Sequence, residues 1–368
     1  MKIVFYIDMM YRGGAQRVMA NLTGYFCDQG YETVLINDFI QDANKPQYPI
    51  SDKVKRIYLR EDLDGNKIIK NVTRITRLRQ KIKQENPDIV LSFLGRPNRR
   101  MLLATIGMKT KKVVSVRNDP NREYGKSTWA KWSAGQLFKL ADGCVFQTEE
   151  AAQYFPKTVQ KKSAIILNPV DNKFFSVKRS SNPKNILAVG RMEPQKNQKL
   201  LLDAFATITE EFPDEHLIIC GDGPLRKELE EHVNRLGLET KVEFLGNVSY
   251  VEKELSKAKI FVLPSNYEGM PNALMEAMAA GVPCIATDCP CGGPRLLIQD
   301  NDYGILVPCD NKSALEESIR TLLNSDRKRI EISRNCSARL KEYKPEIIFQ
   351  TWERYLSGLG DCNDERSN

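Results

Sequence analysis

Glu268 and Glu276 have seven residues between them, and that segment opens Gly269-Met270-Pro271-Asn272 before an Ala- and Met-rich run. Asn272 reads as the N-cap of a helix over Ala273–Ala280. Glu276 then lies about one turn into that helix, near its positive end, where a carboxylate can accept both hydroxyls of a ribose. Stabilising its own helix N-terminus is the simpler role for Glu276. That role does not account for Glu268, which precedes the turn and can reach the hydroxyls of a sugar. The turn residues Gly269, Met270 and Asn272 offer backbone N–H groups to phosphate or sugar oxygens, whereas Pro271 has none.

A second cluster reads Val189-Gly190-Arg191-Met192-Glu193-Pro194-Gln195-Lys196-Asn197. An apolar run ends at Gly190, and two cations follow before a helix. Arg offers a planar fork of donors and Lys a point charge, which together suit a diphosphate. Fixed cations beside a departing phosphate lower the barrier for breaking a sugar–phosphate bond. Gly221, in Cys220-Gly221-Asp222-Gly223-Pro224, either makes room for a nucleotide or simply turns the chain. Asn247 sits in a similar turn, Gly246-Asn247-Val248, where backbone groups could read a base. Gly13 and Gly14, in Arg12-Gly13-Gly14-Ala15, link a first apolar run to a helix and could admit an anion. That segment is not the GxGxxG dinucleotide fingerprint.

The elements that must carry these residues alternate from end to end. Short, Val/Ile/Leu-rich runs occur at Ile3–Ile7, Thr33–Ile36, Val54–Tyr58, Ile89–Phe93, Val113–Val116, Cys144–Phe146 and Ala164–Leu167. A second series follows at Asn185–Gly190, His216–Gly221, Val242–Leu245, Ile260–Pro264, Pro283–Thr287 and Gly304–Val307. Runs with so little polar alternation suit strands covered on both faces of a parallel sheet. Helix-length segments such as Ala15–Asp28, Lys67–Glu85 and Ala130–Leu140 lie between them. The pattern predicts two doubly wound α/β domains, 1–175 and 176–345, whose strand ends face one cleft. A last helix from Pro345 carries Phe349, Trp352 and Tyr355 on one face. Residues 346–368 are expected to pack back toward the first domain and then fray.

Composition narrows the class. The 368 residues are 41% hydrophobic, enough for packed cores. Ile3–Ile7 is too short for a signal-peptide core, and no apolar run spans a bilayer. A cytoplasmic chain is expected. The nine cysteines are scattered and read as free thiols; Cys284, Cys289 and Cys291 cluster without completing a zinc set. The two histidines, His216 and His232, read as structural. Asp62-Leu63-Asp64 and Asp300-Asn301-Asp302 could hold a metal-bound diphosphate, but neither accompanies the cations, so no metal or other cofactor is expected. The net charge of +8 is uneven: residues 1–175 hold 30 Lys/Arg against 17 Asp/Glu. Solvated helix faces explain much of this excess. The functional reading is a first domain that meets an anionic membrane surface or a phosphorylated acceptor. Without interleaved aromatics or a nucleic-acid-binding motif, no nucleic-acid partner is expected.

Glu268-x7-Glu276, Gly190-Arg191-x4-Lys196, Gly221-Asp222-Gly223-Pro224 and Gly13-Gly14-Ala15, which occur along the chain in the family's order, resemble glycosyltransferase family four across nearly the whole chain. The string Thr287-Asp288-Cys289-Pro290 through Gly293-Pro294-Arg295 is similar to a subgroup that builds capsule, exopolysaccharide, O-antigen or N-glycan chains on polyprenyl-diphosphate lipids. The resemblance implies the GT-B fold and transfer of a hexose or N-acetylhexosamine from a UDP-sugar with retention. It implies a polyprenyl-diphosphate-linked saccharide acceptor and a protein peripheral to the inner membrane face. It assigns Glu268, Arg191 and Lys196 to catalysis. Gly190, Gly221, Asn247, Gly269, Met270, Pro271, Asn272 and Glu276 join them in donor binding, and Gly13, Gly14, Arg117 and Asn118 fall on the acceptor side. One departure stands out: Arg117, in Ser115-Val116-Arg117-Asn118, occupies a position where many relatives have His. It either pairs with an anionic acceptor or phosphate, or forms a salt bridge between domains. Rival readings are a non-hydrolysing UDP-sugar epimerase, disfavoured by the shortage of histidines, and a catalytically silent partner subunit, disfavoured by the intact donor residues.

Overall fold

The computed structural model describes residues 1–11, 13–39, 47–59, 67–299 and 301–361. Arg12, Asp62–Asp64 and Asp300, considered above, lie outside them, as does Cys362, one of the nine cysteines. The chain divides into two compact units, residues 1–168 with 346–368, and residues 169–345.

The first unit is built on seven parallel strands: β1 (Lys2–Tyr6), β2 (Glu32–Asn37), β3 (Lys55–Tyr58), β4 (Ile89–Phe93), β5 (Lys111–Ser115), β6 (Gly143–Phe146) and β7 (Ser163–Ile165). Their order is β3-β2-β1-β4-β5-β6-β7, with Val4 of β1 opposite Val34 on one side and Val90 on the other. Ile3 through Ile7 are all fully buried, as strands covered on both faces must be. The helix Pro345–Asp361 belongs to this unit. It seats the fully buried Trp352 5.8 Å from the ring of Phe93. Its Glu353 accepts hydrogen bonds from the hydroxyls of Tyr25 (2.7 Å) and Tyr31 (2.9 Å). The Tyr355 hydroxyl donates to the carbonyls of Cys144 and Lys162.

The second unit holds six parallel strands: β8 (Asn185–Val189), β9 (His216–Cys220), β10 (Val242–Gly246), β11 (Ala258–Leu263), β12 (Cys284–Thr287) and β13 (Ile305–Val307), in the order β10-β9-β8-β11-β12-β13. The helix Gln198–Ile208 lays Leu201, Leu202, Phe205 and Ile208 against the sheet. Both sheets place their first strand beside one reached by a crossover, β1 beside β4 and β8 beside β11. At such a switch the connections leave in opposite directions, opening a crevice beyond the strands' carboxyl ends. Among the described residues, no helix is long and apolar enough to cross a membrane.

Candidate active site

The switch between β8 and β11 is where the sharpest sequence motifs meet. The turn after β8 carries Lys196, and the turn after β11 carries Glu268. The Lys196 Nζ lies 2.5 Å from Glu268 Oε1, joining residues 72 positions apart. Glu268 is buried at 5% exposure, and a carboxylate there must be paired. It also accepts from the Ser265 hydroxyl (2.7 Å) and from the Gln195 amide (3.3 Å). The two turns are stitched further: Asn266 N–H donates to the Gln195 carbonyl, the Asn266 amide to the Pro194 carbonyl, and the Asn197 amide to Asn266 Oδ1. A cation and a carboxylate are thus fixed together at the crevice, able to meet a phosphate and a sugar hydroxyl side by side.

The segment from Gly269 to Pro271 is buried and leads into the helix Asn272–Ala279. Asn272 is its first residue, where the sequence reading had a cap. Pro271 occupies the cap position and makes no side-chain capping bond. Glu276 is the fifth helical residue and is buried. Gly293, from the string that marked the subgroup, packs beneath this turn: a Cβ there would fall 1.7 Å from the Gly269 carbonyl oxygen. Thr287 and Cys289 direct their hydroxyl (2.5 Å) and thiol (3.0 Å) to the Ser265 carbonyl.

Gly190 follows β8 and lies against the Lys196 stem, 3.3 Å from where its own Cβ would be. Gly221 has φ +130°, and a Cβ on it would sit 2.0 Å from the Gly190 carbonyl oxygen. The missing side chain therefore makes room for the neighbouring peptide, and Gly221 N–H donates to the Gly246 carbonyl at 2.7 Å. Asn247 is exposed just past β10. Arg191 does not join Lys196: its guanidinium is exposed and pairs with Glu193 at 2.7 Å.

In the first unit, Gly13 caps the helix Gly14–Asp28 beyond β1. Asn118 turns its Oδ1 back to the Asp119 N–H at 2.9 Å. Arg117 is buried and faces no carboxylate among the described residues. It lies over the rings of Phe93 (4.5 Å) and Trp352 (5.6 Å), and its Nη1 donates to the Ile166 carbonyl. Its Nε and Nη2 are buried without a partner, and burial pulls its pKa down to about 9.

Sequence reasoning missed Ser265, Gln195 and Asn266; the signal was their place within three residues of Glu268 or Lys196. It also missed Cys309, which was not grouped with Cys289. Both thiols point at the Ser265 carbonyl, and their mutual influence lowers the Cys309 pKa to about 7 and, with burial, raises that of Cys289. His232 bonds Asp203 on a helix away from this crevice.

Residues 169–339 match the family model of glycosyl transferases group 1, and residues 12–174 that of glycosyltransferase family 4. The chain is similar to sucrose-phosphate synthase from Thermosynechococcus elongatus, with a TM-score of 0.84 at 18% identity over 98% of this chain and 100% of that one. It is also similar to Anabaena HepE in complex with UDP and glucose, with a TM-score of 0.81 at 20% identity over 97% and 100%. The two Rossmann-like units therefore form a GT-B fold, and the chain is a glycosyltransferase. A Campylobacter jejuni relative, GalNAc-alpha-(1->4)-GalNAc-alpha-(1->3)-diNAcBac-PP-undecaprenol alpha-1,4-N-acetyl-D-galactosaminyltransferase, is 30% identical over 97% of this chain and 98% of its own. Another from the same organism, N-acetylgalactosamine-N,N'-diacetylbacillosaminyl-diphospho-undecaprenol 4-alpha-N-acetylgalactosaminyltransferase, is 28% identical over 97% and 100%. This protein belongs to glycosyltransferase family four.

Proposed function

We propose that the protein moves a hexose or N-acetylhexosamine, with retention, from a UDP-sugar to a polyprenyl-diphosphate-linked saccharide during surface polysaccharide assembly. The observation that carries this reading is the Lys196–Glu268 pair at the β8–β11 switch. The relatives named for undecaprenol-linked substrates and the neighbour holding UDP and glucose support the acceptor and donor classes. In this reading Glu276 holds the ribose and Glu268 the sugar. Lys196, joined by Arg191 once the latter swings from Glu193, neutralises the diphosphate as the C1–O bond breaks. The departing phosphate oxygen takes the acceptor's proton, so no strong protein base is needed. No metal is required where two cations stand. The basic first unit works against the inner membrane face.

The test is UDP release against a panel of UDP-sugars, with and without a polyprenyl-diphosphate saccharide. Release from one donor, dependent on the acceptor, is the expected result. Lys196→Ala and Arg191→Ala should each lower turnover about 10²–10³-fold. Near-normal turnover in both variants would remove the assignment.

A further inference from the structure

The helix Thr128–Phe138 is apolar on both faces. Its inner face is fully engaged: Ala134, Gly135 and Phe138 are buried, Phe138 stacks on Phe155 at 4.3 Å, and Gly135 leaves no room for a Cβ against Pro156. A surface helix is expected to turn polar residues outward. This one turns out Trp129, 73% exposed, and Trp132, 61% exposed. Three positions apart, the two indoles share one helix face. Leu140, just past the helix, is also exposed.

Along the chain, the exposed charges beside these indoles are all basic. Arg122, Lys126, Lys131 and Lys139 are exposed, and from Asn121 to Ala141 the one acid is Glu123, whose Oε2 is buried. Indoles prefer the depth where an apolar ring and a polar N–H are both served, and ammonium groups beside them meet anionic headgroups. We propose that this helix face is where the first unit docks on an anionic lipid bilayer, with Trp129 and Trp132 seated among the headgroups. The inference rests on the membrane reading above and names the surface that performs it.

Trp352, fully buried, provides an internal reference. The full-length protein is mixed with vesicles of equal phosphatidylglycerol and phosphatidylcholine carrying brominated acyl chains. Indole emission should be quenched, and Trp129→Phe with Trp132→Phe should abolish that quenching. Trp129→Ser with Trp132→Ser should lower vesicle partition about tenfold or more, with UDP binding unchanged. Vesicle binding without quenching would overturn this surface while leaving the membrane reading, and would turn attention to Ile68, Ile69 and Val72, exposed on the helix Lys67–Glu85. An absence of vesicle binding alongside intact UDP binding would end both the membrane reading and this inference. Equal partition onto neutral vesicles would overturn the charge argument. A dimer that the serine variant converts to monomer, with no quenching, would make this face a protein interface instead.

Discussion

Lys196 and Glu268 neutralise each other at 2.5 Å, so a diphosphate entering the crevice must compete with a carboxylate for the lysine. Glu268→Gln removes that competitor. UDP should bind the variant at least as tightly as the parent in calorimetry, while sugar transfer falls about 10²-fold; weakened UDP binding would mean that Glu268 serves the nucleotide. Glu123 gives a pH signature. Burial raises its carboxyl to about 8, opposed by Arg99, and its Oε2 has no partner. The folded chain therefore holds a proton that the unfolded chain releases near pH 4.5. Stability from this group is complete below about pH 4.5 and drains away as pH climbs toward 8. Melting curves at pH 5 and 8.5 should show Glu123→Gln lacking a loss of at least ~1 kcal/mol that the parent suffers.

At the scale of elements, the fold was legible because most strands carry a short apolar run, with β3 (Lys55-Arg56-Ile57-Tyr58) the plainest exception. Each of the thirteen lies within two residues of its expected bounds, and Lys67–Glu85 forms the helix anticipated there. The site was legible in part. Glu268 and Lys196 were visible because strand-end turns carry chemistry in parallel sheets. Their direct contact was not, because it depends on β8 and β11 being neighbours, which no local spacing encodes. Arg191 and Lys196 looked like one cationic pair, but the side chains diverge once Glu193 captures the guanidinium. Gly221 was ambiguous between ligand space and turn; the Gly190 carbonyl resolves it. Gly221→Ala combines a φ of +130° with a 2.0 Å approach. It should cost roughly 1–3 kcal/mol or more in thermal denaturation and weaken UDP binding as β8 and β9 separate.

Across the whole molecule, charge and aromatic anchoring concentrate in the first unit. Much of its positive charge is spent locally: Lys55 pairs with Glu85, Arg100 with Asp38, and Arg79 binds the Ala104 and Ile106 carbonyls. Trp352 is the largest fully buried side chain and joins the last helix to β4 and Arg117. Trp352→Ala should destabilise by ~3–5 kcal/mol. Hydrogen exchange should then quicken across residues 1–168 and spare 169–345; uniform quickening would show that the two units melt as one.

Because the first unit is written at both ends of the chain, its assembly has an order. Residues 169–345 are contiguous and can close as soon as they leave the ribosome. The seven-stranded sheet emerges earlier yet must wait, its Phe93 and Tyr25 uncovered, until Phe349, Trp352 and Glu353 arrive. A chain shortened before Phe349 should thus hold a finished second unit and a first one whose Phe93 and Tyr25 stay uncovered.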